Sequence, residues 1–220
     1  MKVAVITSIY GNYDILKPTL PQKGVEVDWI FVTDHRPLDP VGWSVQHNIH
    51  WGKNPRYASK LPKCKPWEYT DASASIWIDA SFEICSDTFV SDLLDQGTIV
   101  PLLQFQHPVR DCIYEEADVV YNQRKYGKTQ PIMEQVEYYW EEGHPEHWGL
   151  WSSGVIFRQH TQTIKKLGHL WMDEIGDWST CDQISEPFVL RNLGMKPETI
   201  PGMYHTGANP WLKYQASTNH

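Results

Sequence analysis

The sequence lacks the features that mark several common classes of protein. It has no apolar run near the roughly 20 residues that a membrane-spanning helix needs, and no charged-and-apolar leader opens it, so neither a membrane span nor a secretory signal is expected. Acidic residues outnumber basic ones, 27 to 19, giving a net charge of −8. Because nucleic acids bind to basic surfaces, a nucleic acid is not expected as the partner.

Cysteine is scarce and widely spaced. The four cysteines (Cys64, Cys85, Cys112 and Cys181) form no CxxC pair, which argues against a zinc knuckle and against a dense disulfide scaffold. We therefore expect free thiols in a reducing compartment and a cytoplasmic protein. The sequence also has no GxGxxG, no GxxxxGK[ST] and no GxSxG, so dinucleotide-binding, P-loop and α/β-hydrolase functions lose their main support.

Aromatic residues, in contrast, are abundant. The chain has 11 Trp and 11 Tyr among 220 residues, a large share for a globular protein. Their flat apolar faces and polar tips suit stacking on sugar rings and nucleobases, but large aromatics also anchor ordinary cores. Composition alone leaves both interpretations open.

The order of apolar segments predicts one α/β domain. Continuous apolar and β-branched runs predict buried strands, and three- and four-residue apolar spacing predicts helices, which dominate beyond residue 106. Asn54 followed by Pro55 predicts a capped helix start. The strands are expected at 2–9, 28–33, 43–49 (near an edge), 74–78, 98–105 and 154–157, and the helices at 54–60, 87–95, 113–126, 131–142, 161–175 and 182–193.

Several polar side chains follow the ends of predicted strands. Residues 7–13 and Asp34 follow the first two strands, and Asp79-Ala80-Ser81 follows the fourth. Because ligands bind outside the carboxyl ends of parallel strands, we expect these residues to share one edge of the sheet. The helix predicted to start at Asn54, together with the residues just after it, adds a basic patch at Arg56, Lys60, Lys63 and Lys65.

These segments resemble the GT-A glycosyltransferase fold. More closely, they are similar to the glycosyltransferase-like family that includes plant proteins of cell-wall and mucilage biology. The matching stretches are 9–14, 31–34, Arg56 with Lys60, 75–79, 107–117, 154–158 and Asp182-Gln183. The resemblance implies a mainly parallel sheet flanked by helices and a helix-rich second half. It implies a nucleotide-binding half at about 1–105, an acceptor half at about 106–220, and transfer of a sugar from a nucleoside diphosphate donor to a hydroxyl of a glycan or other acceptor.

The resemblance also implies a donor site. In it, Tyr10 or Tyr13 stacks on the base, and Thr7 or Ser8 hydrogen-bonds the edge of the base. Asp34 contacts the base or the ribose, and Arg56 and Lys60 meet the diphosphate. A turn-capping role for Asp34 and a solvated face for the two basic residues are the alternatives. The predicted donor-binding residues are Thr7, Tyr10, Tyr13, Asp34, Arg56, Lys60, Asp79 and Ser81.

A divalent metal ion is a further implication of the resemblance. GT-A enzymes commonly hold Mn²⁺ or Mg²⁺ with an Asp-x-Asp motif, and this sequence has Asp79 but Ser81 in place of the second aspartate. Hard divalent ions prefer several oxygen ligands. The predicted metal ligands are therefore Asp79 and the late His205, with Arg56 and Lys60 as the alternative source of positive charge.

The reacting centre is predicted at Asp182 and Gln183, and the acceptor groove at Trp148, Trp151 and Gly154. Asp182 could instead be a helix cap. Because Asn and Asp cap helices about equally well, Asp182→Asn is expected to fold with near-normal stability and to lose transfer. Two other functions stay open: a catalytically silent carbohydrate- or nucleotide-binding protein on the same scaffold, and a nucleotidyltransferase.

Overall fold

The fold is that of a computed structural model of the chain, which describes residues 2–37, 39–49, 54–123, 126, 129–202 and 209–215. The strands and helices in chain order are β1 (Lys2–Ile9), β2 (Glu26–Thr33), β3 (Ser44–His47), α1 (Pro55–Cys64), a 3₁₀ turn (Pro66–Glu68), β4 (Ala74–Ile78), β5 (Phe82–Ile84), α2 (Phe89–Gly97), β6 (Leu102–Gln106), α3 (Ile113–Tyr121), α4 (Ile132–Glu141), β7 (Trp151–Gln159), α5 (Gln162–Asp177), α6 (Asp182–Asn192), β8 (Glu198–Thr199) and β9 (Leu212–Tyr214).

A mostly parallel sheet forms the centre of the molecule. Within the described residues it has the strand order β3-β2-β1-β4-β7-β6-β8, while β5 and β9 pair separately. The first four strands in this order are parallel to one another, and β6 is parallel to β8; β7 runs antiparallel to both β4 and β6. The predicted α/β class, the mainly parallel sheet and the helix-rich second half are confirmed.

The sheet is covered on both faces, and strand periodicity explains how. Successive side chains of β1 point to opposite faces. Val3 and Val5 join the core that contains α2, whereas Ala4 and Ile6 join the core that contains α1, α5 and α6. A strand buried on both faces has to be apolar throughout, which is why residues 3–6 form an unbroken hydrophobic run.

The elements differ from the predicted ones mainly at their ends. The strand predicted at 98–105 begins only at Leu102, because the preceding residues form the turn after α2. The strand at 154–157 is the middle of the longer β7, and the predicted edge strand is β3. The short strands β5, β8 and β9 were not predicted, because two or three residues establish no periodicity. None of the helices in the described ranges is long and apolar enough to cross a membrane.

Candidate functional site

A cavity of about 440 Å³ lies at the carboxyl ends of β1 and β4. Its volume falls within the range of about 300–1,000 Å³ that is usual for small-molecule sites. The location agrees with the rule that ligands bind outside the carboxyl ends of parallel strands. Six of the predicted donor-site residues line it: Tyr10, Tyr13, Arg56, Lys60, Asp79 and Ser81.

Helix α1 brings the basic side chains to this cavity. Its start is fixed by Asn54, whose side chain accepts a hydrogen bond from the Arg56 backbone N–H at 2.9 Å, with Pro55 as the first helical residue. Arg56, Lys60 and Lys63 follow at i, i+4 and i+7 and therefore share one face of the helix. The Arg56 guanidinium lies 5.8 Å from the centre of the Tyr126 ring, a cation–π distance.

Lys63 is buried among acceptors behind the cavity wall. Its ammonium lies 2.5 Å from Asp182 Oδ2, 3.1 Å from Ser153 Oγ and 3.4 Å from Asp79 Oδ1. Three donors thus meet three acceptors, which is the condition for burying a lysine. Burial alone would lower the pKa of Lys63, but the charges of Asp182 and Asp79 outweigh it and raise that pKa above its usual value.

The Asp182 carboxylate is buried and fully engaged. One oxygen pairs with the Lys60 ammonium at 2.9 Å, and the other pairs with Lys63 and accepts from Ser153 Oγ at 3.2 Å. Burial alone would raise the pKa of Asp182, but the two ammonium groups hold it well below its usual range. Asp182 is the first residue of α6, where Cys181 holds the N-cap position, and its carboxylate bonds to the two lysines and Ser153 instead of serving as the cap. It also lies outside the cavity lining.

Gln183 points its amide toward a neighbouring acid. Its Nε2 donates to Glu116 Oε1 at 3.2 Å, and the other oxygen of Glu116 accepts from Arg110 Nε at 2.6 Å. Gln183 is not part of the cavity lining. The predicted pair Asp182-Gln183 therefore lies outside the cavity lining, where Asp182 contacts Lys60 and Lys63 and Gln183 contacts Glu116.

Asp34 supports the cavity wall instead of lining it. Its two carboxylate oxygens accept from the Gly11 backbone N–H at 3.0 and 3.1 Å. Gly11 has a φ of +66°, a conformation that favours glycine, so Asp34 holds a tight turn in the loop that carries Tyr10 and Tyr13. Thr7 is only 1% exposed in β1 and lies outside the lining of this cavity.

Asp79 is held in place from both backbone and side chain. Its N–H donates to the Gly154 carbonyl at 2.8 Å, and its Oδ1 accepts from Trp77 Nε1 at 2.7 Å. Gly154 therefore positions Asp79 through the backbone. Trp148 and Trp151 pack edge to face with ring centres 5.7 Å apart, and both lie outside the cavity lining.

The residues around Asp79 do not fit a hard divalent ion. One carboxylate oxygen already accepts from Trp77 and faces the Lys63 ammonium, and Ser81 supplies no second carboxylate. Across the described ranges, no three His, Cys, Asp or Glu side chains are grouped as metal ligands would be. His205, the other predicted ligand, lies outside the described residues.

Three residues of the cavity lining, Tyr126, Thr180 and Tyr214, were not predicted. Lys63 was predicted only as a member of the basic patch, and its ion pairs behind the cavity were not. Tyr214 arrives through the pairing of β9 with β5, opposite Phe82. For Lys63 a signal existed, because its spacing from Arg56 and Lys60 places all three on one helical face. No local pattern marks the other three.

The known proteins that this chain is similar to include a family model and solved structures of low sequence identity. The model, described as TOD1/MUCI70, glycosyltransferase-like domain, matches residues 44–213, which is most of the chain. The chain is also similar to mouse xyloside xylosyltransferase 1 in its apo form, with a TM-score of 0.47 and 9% identity over 91% of this chain and 85% of that one.

The second structure is the apo form of the WbbM bifunctional glycosyltransferase, with a TM-score of 0.48 and 12% identity. That match covers 90% of this chain and 38% of that one. At these scores neither structure carries an argument about donor or acceptor. A search of curated proteins gave no match.

Proposed function

The chain belongs to the TOD1/MUCI70 glycosyltransferase-like domain family, and from this premise we propose that it transfers a sugar from a nucleoside diphosphate donor, bound in the cavity, to a hydroxyl acceptor. In the reaction, the bond from the anomeric carbon to the phosphate oxygen breaks, a bond to the acceptor oxygen forms, and the acceptor hydroxyl loses its proton. The products are the glycosylated acceptor, a nucleoside diphosphate and the proton of the acceptor hydroxyl, which the leaving diphosphate or water takes up.

The observation that carries this proposal is that two basic side chains and two tyrosine rings line the same cavity. Arg56 and Lys60 lie on the same lining as Tyr10 and Tyr13. A diphosphate leaving group gains negative charge as the glycosidic bond breaks, and fixed cations stabilise that charge. The tyrosine rings suit stacking on the nucleobase.

The remaining predicted residues take supporting roles in the proposal. Asp79 is placed at the cavity to accept hydrogen bonds from hydroxyls of the transferred sugar. Asp34 positions the loop after β1, and Asp182 positions Lys60, since its carboxylate is already paired with two lysines. An acceptor glycan would approach the open side of the cavity.

The test is ligand-dependent stabilisation followed by turnover. UDP, GDP, ADP and CDP and their common sugars are screened by thermal shift, because a ligand that binds the native state raises the Tm. The donor that binds is then incubated with the protein, and release of free sugar is measured. Arg56→Gln should reduce the shift strongly at the same ligand concentration, whereas Lys166→Gln, an exposed change on α5, should not alter it. If no nucleoside diphosphate shifts the Tm, the proposal is wrong.

A binding protein without catalysis is the second candidate, and one observation favours it. Of the lining residues in the described ranges, the acids are Asp14 and Asp79, and both already make hydrogen bonds within the protein. Asp182 is ion-paired and would accept a proton poorly. Release of sugar from a bound donor supports the transferase, and binding without any release supports the binding protein.

A further inference from the structure

The charges around the cavity are unevenly distributed. Arg56, Lys60 and Lys63 bring three positive charges, and Asp79 and Asp182 bring two negative ones. Lys60 and Lys63 share Asp182, and Lys63 also faces Asp79. Asp14, the other acid on the lining, is paired with Lys17 at 3.5 Å. The surplus at this site is therefore positive.

Arg56 carries that surplus. No carboxylate of the described residues lies within 4.0 Å of its guanidinium, so in that part of the chain its charge has no ion-pair partner. It is placed on the cavity lining beside Lys60, whose side chain is 15% exposed and oriented by Asp182. A planar guanidinium can donate two parallel hydrogen bonds to phosphate oxygens.

A divalent metal ion bound to Asp79 would lie next to a buried positive charge. The Lys63 ammonium already lies 3.4 Å from Asp79 Oδ1, so a metal ion bound to this carboxylate would be repelled by a buried positive charge. Trp77 Nε1 also competes for the same oxygen at 2.7 Å. Lys63 is 2% exposed and held by two further acceptors, so it is not free to move away.

We infer that Arg56 and Lys60 bind the diphosphate of the donor, with Arg56 supplying the surplus positive charge, and that donor binding requires no divalent metal ion. The inference rests on the proposed function and specifies how that same site handles charge. The arrangement supplies fixed positive charge where a metal ion would otherwise be recruited, and Asp182 keeps one of the two cations in place.

The test uses isothermal titration calorimetry on the full chain with UDP, GDP, ADP and CDP as probes. Each probe is titrated once in EDTA and once in Mn²⁺. The expected result is that at least one nucleoside diphosphate binds in EDTA. Its Kd in EDTA should lie within about threefold of its Kd in Mn²⁺, whereas loss of a strong contact would change the Kd by about tenfold or more. In EDTA, Arg56→Gln should weaken that binding by about 10- to 100-fold, the scale of lost charge-assisted hydrogen bonds.

Asp79→Asn distinguishes charge supplied by Arg56 and Lys60 from charge supplied by a metal ion, because the two predict opposite changes in affinity for the nucleoside diphosphate. The asparagine oxygen can still accept from Trp77 and Lys63, so the fold is preserved, but a negative charge beside the diphosphate is removed. The variant should bind the nucleoside diphosphate more tightly in EDTA than the unchanged protein does. A metal-ligand role for Asp79 requires the reverse, which is weaker binding and loss of any Mn²⁺ dependence.

Failure of the inference and failure of the proposed function look different. Binding seen only with Mn²⁺, and lost in Asp79→Asn, overturns the inference and leaves the proposed function intact. Absence of binding to all four probes under both conditions overturns the proposed function, and the inference with it. Equal binding in EDTA and Mn²⁺ that depends on Arg56 supports both.

Discussion

The Lys63 ammonium lies 2.5 Å from a carboxylate oxygen of Asp182, and both side chains are at least 95% buried. This ion pair joins α1, which carries the basic residues of the cavity, to the first residue of α6. Lys60 pairs with the other oxygen of the same carboxylate. One acidic side chain therefore fixes two lysines, and the position of Lys60 in the cavity depends on it.

Asp182→Asn should destabilise the fold. Removing one partner leaves a buried Lys63 charge with less compensation, and breaking a buried pair costs about 3–5 kcal/mol. A capping role would instead predict near-normal stability, because Asn and Asp cap helices about equally well. Urea denaturation gives the free energy of unfolding, with Asp173→Asn, an exposed aspartate on α5, as the control of near-zero effect. Unchanged stability of Asp182→Asn would show that the pair contributes little.

Gly168→Ala in α5 should also destabilise, against the usual preference of helices for alanine. A Cβ at this position would lie 2.1 Å from the backbone carbonyl oxygen of Cys64 and 2.6 Å from Trp67. Cys64 ends α1, so the clash would push apart the two helices that set the position of Arg56 and Lys60. We expect a loss of about 2–3 kcal/mol or more, as in overpacked cores, measured by urea denaturation.

Gly176→Ala is the matched control for this change. It lies in the same helix, and its Cβ would meet Tyr57 at 3.5 Å, an ordinary contact. Helix propensity then dominates, and the variant should be as stable as the unchanged protein or more stable by up to about 1 kcal/mol. Similar effects at both glycines would mean that close approach of α1 to α5 is not what Gly168 provides.

Glu186 makes the stability depend on pH. Burial raises the pKa of Glu186 from 4.5 to about 7, with Gln104 donating to one oxygen at 3.0 Å. Between these values the unfolded chain binds fewer protons than the folded one, so this group stabilises the fold at low pH and that contribution is lost as the pH rises through about 7.

Glu186→Gln should remove this dependence. The free energy of unfolding of the variant minus that of the unchanged protein should rise by about 2–3 kcal/mol between about pH 5 and about pH 8. Urea denaturation at both pH values measures the difference, and Glu137→Gln, an exposed change on α4, is the control. An equal effect of Glu186→Gln at both pH values would contradict the raised pKa.

The parts of the site predicted from sequence depend on local signals. A strand end at Tyr10, a strand end at Asp79 and a capped helix start at Asn54 each follow from a few neighbouring residues, and the parallel sheet brings them to one edge. The α/β class followed similarly from unbroken apolar runs, because strands covered on both faces have to be apolar.

The rest depends on contacts between distant parts of the chain. A lysine on a helix usually faces solvent, whereas the folded chain brings Asp182 of α6 and Ser153 of β7 to the buried Lys63 ammonium. Likewise, the sequence shows Asp34 at a strand end but not that it accepts from Gly11. Tyr214 enters through a three-residue strand, too short to carry a pattern.

Asp34→Ala should weaken nucleoside diphosphate binding by about tenfold, since a charge-assisted hydrogen bond to the Gly11 N–H is lost and the loop with Tyr10 and Tyr13 is released. Asp34→Asn keeps an oxygen acceptor for Gly11, so it should restore most of the affinity. Calorimetry measures binding, and amide hydrogen exchange at Gly11 should accelerate in the alanine variant alone. If the asparagine variant binds as weakly as the alanine variant while Gly11 stays protected, the negative charge of Asp34 meets the ligand directly, and its role is binding instead of positioning.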